Sequence, residues 1–552
     1  MNNQTQASKH EHHIIKAGIF VMAAHFLFKL ASLLQAVVFA RFVPRDMYEA
    51  IYVFAFEGCI FSIFLIGEEI ITPSFLPVFM SQKEKAGERA AWRFANTFIT
   101  LQLLFITATT ALVMLFPEFI AHVITSWDSA NDPVRYKLAV NGVRLAAPAL
   151  FGLSIASTTY AILNGYKRFF LAAFGDAAWK FCLMFFVLIG MGFFGVKYKY
   201  IVYGLLAGSI LKLLVHLIGL RKEITFFRLS FSLRDPAVKQ MLFLMLPLLA
   251  GILCAKARDI FNNVYILSMP DLKGLMQANS FGRKLHGTIG FLIPYAISIA
   301  MFPFFCELVN SKESVKFGKL LSRSGYMLLS LFIPLSFVIA ALAQPVVAFL
   351  FEGGEFSHQS VHLTAISTVC YTLALPAFSL EYFLIQAFFA NKRMVSITLI
   401  GIIFSFLSVT ISYIGIVVLG MKGIYALITI ALGYTISRTL KTIVMIIWLK
   451  RIIPCFPLKE TAIFFVKTLI TAVAAVVSVL LILHIFNPSL HSFRIVLLLR
   501  ISAASIAALC VFLISAKLVK LAEPFEMLKW ALEKIRRKKN PHPETQNISS
   551  VA

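Results

Sequence analysis

The segment TAIFFVKTLITAVAAVVSVLLILHIF, residues 461–486, carries a single charged side chain, that of Lys467. It is longer than the about 20 apolar residues that a helix needs to cross the hydrocarbon core of a bilayer. Its residues do not alternate between polar and apolar, as those of a membrane β-strand do. Because backbone polar groups in lipid must bond within their own segment, this stretch predicts a membrane-spanning helix.

Similar apolar windows recur along the whole chain, separated by short turns that carry charges, glycine or proline. We therefore predict an all-α polytopic membrane protein. It has fourteen transmembrane helices, over residues 17–43, 48–79, 95–116, 143–164, 169–194, 199–219, 239–267, 275–305, 320–351, 361–389, 394–419, 422–449, 461–486 and 494–519.

The composition of the 552 residues agrees with this prediction. Only 14% are charged and 59% are apolar, and the mean hydropathy is +0.84. Soluble domains carry roughly 25% charged residues, and disordered chains have low hydrophobicity, so both classes are excluded. The net charge of +25 is explained by basic cytoplasmic loops, which orient membrane proteins, and no nucleic-acid partner is expected.

Basic residues fall mainly on alternate loops. Residues 83–93, 221–239 and 311–323 are rich in Lys and Arg, whereas residues 117–133 are acidic or uncharged. The positive-inside rule then places both termini in the cytoplasm. We assign residues 1–16 to a cytoplasmic N-terminal tail, 220–238 to a cytoplasmic amphipathic linker, and 520–552 to a basic cytoplasmic tail. Within the linker, residues 224–235 are expected to form a surface helix.

The chain also resembles itself at a shift of about 225 residues. Pro77 in FLPVF matches Pro303 in MFPFF, and the pair beginning at Lys167 matches the pair beginning at Lys392. Repeats of this kind are common in transporters, and six spans per copy make the copies parallel, with a cavity between them. We assign residues 17–219 to an N-lobe, 239–449 to a C-lobe, and 461–519 to an additional helix pair.

Several ionisable residues fall at middle depth within the first two spans of each repeat. Charged groups are costly there and usually face a polar cavity. The bases outnumber the acids Glu57 and Asp259, so the cavity suits an anion, with diphosphate the obvious class. The candidate diphosphate-binding residues are Lys29, Lys256, Arg258, Arg283 and Lys284.

Glu57 and Asp259 are assigned as counter-charges or ion-coupling groups. The alternative is that Arg283 pairs with Glu57 and Lys256 with Asp259, leaving the remaining bases to reach an interface. Five bases cannot all pair with two acids, which favours the binding site.

Other charges and prolines within spans receive separate interpretations. Asp176 and Lys180, four residues apart, are interpreted as a neutral helix pair, and Lys212 as an anchor reaching the interface. We assign gating or bending roles to Glu68, Pro77 and Pro303.

The sequence contains no phosphate-binding loop and no HExxH pair, so we expect no enzyme, no catalytic residue, no metal and no cofactor.

Five stretches resemble the MurJ/MviN lipid II flippases of the MOP (multidrug/oligosaccharidyl-lipid/polysaccharide) exporter superfamily. They are VVFARFVP (37–44), GEEIITPSFLPVFMSQKEKAGERAAWRF (67–94), YAILNGYKRFFLAAFGD (160–176), FGRKLHGTIGFLIPYAISIAMFPFF (281–305) and VVAFLFEGGEFSHQSV (346–361).

The resemblance implies a flippase that moves an undecaprenyl-diphosphate-linked precursor across the bacterial inner membrane by alternating access. It also implies an ion gradient or the membrane potential as the driving force, with a monovalent cation as the candidate coupling ion. Lys29, and Arg283 or Lys284, fall at positions of family arginines, and residues 461–519 would form a groove for the lipid tail. The expected partners are this glycan lipid, membrane lipids and other cell-wall synthesis proteins, and the expected state is a monomer.

Three alternatives remain open at this stage. One is a flippase for another lipid-linked oligosaccharide or polysaccharide. Another is a drug/cation antiporter, in which acids would dominate the cavity. The third is a transport-inactive scaffold of cell-envelope synthesis, suggested by Gln35 and Ala36, where the family has an arginine–aspartate pair.

Overall fold

The structure, a computed structural model, describes residues 26–232, 234–486, 494–526 and 529. The predicted N-terminal tail and nearly all of the predicted C-terminal tail lie outside these ranges. The described residues form two compact units. Unit 1 contains the described part of Met1–Ala296 together with Ala343–Tyr371 and Arg393–Lys441, and unit 2 contains Ile297–Leu342, Thr372–Lys392 and the described part of Thr442–Ala552.

The described chain is all-helical and contains no β-strand, in agreement with the predicted class. Its helices are α1 (residues 26–42), α2 (Arg45–Ile51), α3 (Ile60–Leu115), α4 (Pro117–Ile124), α5 (Pro133–Ala146), α6 (Ala149–Gly165), α7 (Phe169–Phe194), α8 (Lys199–Gly219), α9 (Pro236–Ile260), α10 (Leu275–Asn310), α11 (Ser314–Phe351), α12 (His358–Thr372), α13 (Leu375–Ala390), α14 (Met394–Tyr413), α15 (Gly423–Lys450), α16 (Leu458–Ile485) and α17 (Arg494–Leu518).

Nine helical segments of the described residues are long and apolar enough to cross a membrane, or up to eleven if each of two bent pairs counts as one span. The chain is therefore a multi-pass membrane protein. One bent pair is α5 and α6, whose axes differ by 53°. The sequence predicts a straight span over residues 143–164, but Pro148 lies at this bend and lacks the N–H that a continuous helix would use.

The predicted span over residues 48–79 is also interrupted. Helix α2 runs into a π-helical turn, Tyr52–Phe56, and helical bonding resumes at Ile60. A side chain at Gly58 would collide with the backbone carbonyl of Val53, so this tight break requires glycine. Such π-turns are frequent at functional sites.

Helix α3 joins two predicted spans. Its 56 residues correspond to about 84 Å of helix, far more than one bilayer crossing requires. Gly87 (φ 80°, ψ 179°) interrupts the helical geometry between the two apolar halves. The break lies in the predicted basic loop, and only glycine adopts this conformation without strain.

The surface helix predicted at residues 224–235 is wrong. Only Ile224–Phe226 forms a short 3₁₀ turn, and residues 227–232 have no helical structure. Side chains of α3 bond this backbone instead. The Asn96 amide donates to the Phe226 carbonyl at 2.9 Å, and the Ser230 N–H donates to the Thr100 hydroxyl at 3.1 Å.

Corresponding turns of the predicted repeat share unusual backbone angles. Lys167 has φ 59° and Lys392 has φ 56°, and both precede an arginine and a helix. Gly195 and Gly420 also have positive φ. Left-handed backbone is uncommon outside glycine, so its recurrence at both lysines is informative.

The apolar core of unit 1 contains large aromatic side chains, among them Phe54 of the π-helical turn, Trp127 of the loop after α4, and Trp179 of α7. In unit 2 the ring of Phe305 packs against Phe317 and Phe383, with ring centres 5.0 Å and 5.2 Å apart. Both interiors are therefore packed by rings as well as by aliphatic chains.

A close backbone approach between α7 and α8 predicts a stability effect. A Cβ atom at Gly208 would lie 2.8 Å from the Trp179 carbonyl oxygen, so Gly208→Ala must separate the helices. We expect a loss of about 1–3 kcal/mol, seen as a lower midpoint of thermal unfolding in detergent. The matched helical control, Gly67→Ala, has its nearest neighbour at 3.9 Å and should leave the midpoint unchanged or raised. Equal midpoints for both variants would contradict this packing.

Candidate functional site

Four of the predicted site residues form one continuous chain of ion pairs in unit 1. The guanidinium of Arg283 donates to Glu57 Oε1 at 3.1 Å and to Asp259 Oδ2 at 3.0 Å. The other oxygen of Asp259, Oδ1, accepts from Arg258 Nε at 3.0 Å and from Arg258 Nη2 at 2.8 Å. Two cations and two anions alternate, so the formal charges cancel.

Irregular helix geometry positions both acids. Glu57 lies in the break before α3, where the Tyr52 hydroxyl donates to its Oε2 at 3.4 Å. Asp259 lies at the end of α9, which continues into a second π-helical turn. Arg258 extends the chain to α14, because its Nη1 donates to Ser405 Oγ at 3.4 Å. These ion pairs and the hydrogen bond to Ser405 thus connect the break before α3 with α9, α10 and α14.

Lys256 lies apart from this chain. Its Nζ pairs with Glu69 Oε1 at 3.5 Å, which joins α9 to α3. The pairing of Arg283 with Glu57, set out above as an alternative, is present, whereas Lys256 pairs with Glu69 and not with Asp259. Three of the five predicted diphosphate ligands therefore have acidic partners in this structure.

The remaining two predicted ligands, Lys29 and Lys284, form a cluster with Lys180. Lys29 of α1 and Lys180 of α7 both approach the Phe28 ring, and Lys284 of α10 interacts electrostatically with both lysines. Lys29 and Lys180 have aromatic faces as neighbours. Lys180 Nζ lies 3.6 Å from the ring centre of Phe28, and Lys29 Nζ lies 4.4 Å from that of Phe291. Within the described ranges, no carboxylate reaches ion-pair distance of these lysines.

This cluster, Lys29, Lys180 and Lys284, is named the lysine cluster below. Cation–π contacts offset only part of the cost of burying an ammonium group. Three like charges that lack carboxylate partners form an anion-binding environment, because a phosphate group would relieve their mutual repulsion and accept their hydrogen bonds.

The predicted helix pair of Asp176 with Lys180 is wrong. Asp176 instead pairs with the fully buried Lys212 on α8, at 2.6 Å, and Glu68 on α3 accepts from the same Lys212 at 3.3 Å. Lys212 therefore links three helices from a buried position, and its predicted role as an interfacial anchor is wrong. Its pairing with Asp176 is what leaves Lys180 without a carboxylate partner.

Uncharged polar side chains continue the interior of unit 1. The Asn262 amide donates to Ser408 Oγ at 3.1 Å. The Asn279 amide donates to Asn263 Oδ1 at 2.9 Å, and the Asn279 oxygen accepts from the Tyr371 hydroxyl at 2.9 Å. These groups make the interior polar without adding charge.

The predicted bending residues lie in helices. Pro77 lies within α3, where Pro73 precedes it by about one turn. Pro303 lies within α10. Because proline removes a backbone bond, both positions weaken their helices locally, and their bending role stays a prediction.

Sequence comparisons assign the family. The family model for the lipid II flippase MurJ matches residues 39–501, which is most of the chain. The chain belongs to the MurJ family. The family is one of flippases, which are transporters, so the expectation of a transport protein agrees with the family.

Individual relatives agree with this assignment. A "probable lipid II flippase MurJ" of Bdellovibrio bacteriovorus is 28% identical over 335 residues, which cover 60% of this chain and 63% of the relative. The corresponding protein of Rickettsia prowazekii is 26% identical over 61% of this chain and 66% of its own length. The chain thus matches a little under two thirds of these two relatives. A relative from Borreliella burgdorferi matches more, at 23% identity over 82% of this chain and 90% of its own length.

Solved structures share the fold. A lipid II flippase MurJ in an inward closed conformation superposes with a TM-score of 0.71 at 19% identity, over 90% of this chain and 99% of that chain. An inward-facing multidrug resistance MATE family transporter of the MOP superfamily gives 0.65 at 13% identity, over 78% and 97%. The chain therefore has the fold of these transporters.

Two site residues escaped sequence reasoning. Lys180 was assigned to a neutral helix pair because Asp176 precedes it by four residues, and Glu69 received no partner. The available signal was the position of Lys180 in the middle of an apolar span, where a charged group usually serves a function.

The ion-pair chain predicts a specific pattern of stability. Arg283→Gln leaves Glu57 without its ion-pair partner and should cost about 3 kcal/mol, the lower end for buried pairs, because these side chains are partly exposed. The double variant Arg283→Gln/Glu57→Gln removes one charge of each sign and should recover much of the loss. The measurement is thermal unfolding of the purified protein in detergent.

The exposed pair of Lys316 with Glu313 supplies the control, and Lys316→Gln should leave the unfolding midpoint nearly unchanged. A double variant that is less stable than the single variant would show that Glu57 does not depend on Arg283.

Proposed function

We propose that this protein is a flippase that translocates a polyprenyl-diphosphate-linked, lipid II-like cell-wall precursor across the bacterial inner membrane by alternating access. Membership of the MurJ family supports the substrate class, and the lysine cluster supports recognition of its diphosphate. The lysine cluster is the observation that carries the proposal, because three buried or half-buried cations without acidic partners need an anion.

In this proposal Lys29 and Lys284 hold the diphosphate, together with Lys180. Ammonium groups bind phosphate oxygens as compact charges, and a lipid diphosphate supplies enough oxygens for three of them. Phe28 and Phe291 limit the water around the cluster, which strengthens each charge-assisted hydrogen bond.

The paired cations serve the same site in a different state. Arg258, Arg283 and Lys256 are available to the substrate only when their acids release them. We propose that Glu57 and Asp259 hold the arginines while the diphosphate is absent, and that the exchange accompanies the rocking of the lobes. An ion gradient or the membrane potential drives the cycle, with a monovalent cation as the candidate coupling ion.

The proposed topology has fourteen spans. The count of nine to eleven membrane-capable segments is lower for three reasons. It treats Arg45–Leu115 as one segment, it leaves out α10, and it includes no part of the predicted first span, 17–43. The shared left-handed turns at Lys167 and Lys392 support two parallel six-helix repeats. Both termini are cytoplasmic in this proposal, the protein acts as a monomer, and the other cell-wall synthesis proteins are its candidate partners.

An apolar cavity in unit 2 supports a site for the polyprenyl tail. Its volume is about 370 Å³, and its walls come from α11, the start of α13 and α16. Helix α16 is the first of the additional pair predicted to form a lipid groove. The lining residues are Ile333, Ser336, Phe337, Leu373, Pro376, Phe465, Val466 and Leu469.

The other candidate functions receive less support. A cation antiporter needs excess acid at its binding site, whereas the lysine cluster has excess base and the acids Glu57 and Asp259 are paired with arginines. Flippase activity toward another lipid-linked oligosaccharide would use the same diphosphate site, and the rescue experiment below distinguishes it.

A bacterium depleted of its own lipid II flippase tests the substrate. Expression of this chain should restore growth, because the precursor again reaches the outer leaflet. The triple variant Lys29→Gln/Lys180→Gln/Lys284→Gln should fail at equal membrane abundance. The exposed cation Lys197 supplies the control, and Lys197→Gln should rescue like the parent. Failure of the parent would contradict lipid II as substrate, and rescue by the triple variant would contradict the cluster.

A binding measurement isolates the diphosphate from transport. Purified protein should bind farnesyl diphosphate and should not bind farnesol, which has the same prenyl chain without the charge. Lys180→Gln should weaken the binding of farnesyl diphosphate about tenfold or more, the loss of one charge-assisted hydrogen bond. Equal affinity of the parent and Lys180→Gln would exclude Lys180 from the site.

A further inference from the structure

The backbone of the segment between α8 and α9 is hydrogen-bonded to α3. The described residues 221–232 and 234 are named the basic strap. The Phe226 ring stacks on Trp92 of α3 with an interplanar angle of 22°, and the Phe226 carbonyl accepts from Asn96. Farther along, the Thr97 hydroxyl donates to Ser230 Oγ at 3.3 Å. The strap is thus fixed along α3 by bonds to its backbone and to its small polar side chains.

The acidic side chains in and beside the strap already have bonding partners. Glu223 forms a two-pronged pair with Arg168, at 2.7 Å and 2.8 Å. Asp235, directly after the strap, caps the start of α9, because its side chain accepts from the Ala237 N–H at 2.8 Å. Neither carboxylate is available to neutralise the cations of the strap.

The bases of the strap are all exposed. Arg221, Lys222, Arg228 and Arg234 point to the surface, and none has a carboxylate within ion-pair distance in the described part of the chain. Arg93 of α3 adds a further exposed cation one turn before Thr97. The patch therefore carries a concentrated positive charge.

Apolar side chains alternate with these bases and are also exposed. Leu229 and Phe231 leave 71% and 64% of their surface accessible, and Ile224 and Phe227 are exposed as well. Phenylalanine and leucine among arginines are typical of segments that lie at the headgroup level of a bilayer.

The position of the strap in the chain agrees with this. It joins the end of α8 to the start of α9, and both helices are long and apolar enough to cross a membrane. The connection between two such helices lies at the membrane surface, where lipid phosphates are within reach.

We propose that the basic strap binds the phosphate groups of anionic phospholipids while its apolar side chains enter the interfacial region. Anionic headgroups attract clustered Lys and Arg near the surface. The occupant is bilayer lipid, and this site is independent of the substrate that the protein transports.

Fluorescence quenching by brominated lipid tests the proposal, because the Trp92 ring contacts the strap residue Phe226. The full chain is placed in phosphatidylcholine vesicles that contain either brominated phosphatidylglycerol or brominated phosphatidylcholine. The Trp92 contribution is the difference between the parent and Trp92→Phe. We expect brominated phosphatidylglycerol to quench this contribution several-fold more strongly, and the preference to fall as salt is raised.

The decisive variant replaces the four strap bases: Arg221→Gln, Lys222→Gln, Arg228→Gln and Arg234→Gln. In this variant the two brominated lipids should quench the Trp92 fluorescence equally. The matched control replaces four exposed bases elsewhere in unit 1 and should keep the preference of the parent. The control substitutions are Lys137→Gln, Arg144→Gln, Lys197→Gln and Lys199→Gln.

Each other outcome overturns the proposal. A parent without lipid preference excludes an anionic-lipid site at the strap, and a strap variant that keeps the preference moves it to other residues. Loss of the preference on adding inorganic phosphate would assign the site to a free anion. Equal thermal unfolding midpoints of the two four-fold variants verify that both are folded.

Discussion

Charge burial governs the interior of unit 1. A charged group removed from water must find a partner of opposite sign or pay a large desolvation penalty. Arg283 meets this constraint by bonding Glu57 and Asp259 at once, and Asp259 meets it by bonding both arginines. The break before α3 and the π-helical turn after α9 occur beside these two acids. The irregular backbone and the paired charges are thus parts of one arrangement that connects α3, α9, α10 and α14.

The same constraint makes the lysine cluster informative. Lys29, Lys180 and Lys284 lack the carboxylates that the arginines have, although Asp176 lies on the same helix as Lys180. Lys212 takes Asp176 and Glu68, and it is itself fully buried. Lys29 and Lys180 face phenylalanine rings in place of carboxylates, and Lys284 adds a third positive charge to the same cluster. This charge separation, more than the total number of bases, is what supports a diphosphate ligand.

Several parts of the molecule were predictable from the sequence because they depend on composition along the chain. Apolar windows predicted the helices, since lipid leaves no alternative for the backbone. The basic character of residues 221–239 was also visible, but the predicted surface helix was wrong. Asn96 and Thr100 of α3 bond the strap backbone, and no local pattern reveals bonds to a helix more than 100 residues away.

The sequence by itself determined the all-helical membrane class, the family and the presence of more interior bases than acids. Hydropathy and the spacing of motifs are properties of the linear chain and do not depend on how its helices pack. Only the tertiary structure decided which base meets which acid. Asp176 lies one turn from Lys180 but pairs with Lys212, and Glu57 pairs with Arg283, which follows it by 226 residues. Helix packing brings these groups to about 3 Å from one another. Ion pairing depends on this distance in space and not on the separation of the residues along the chain.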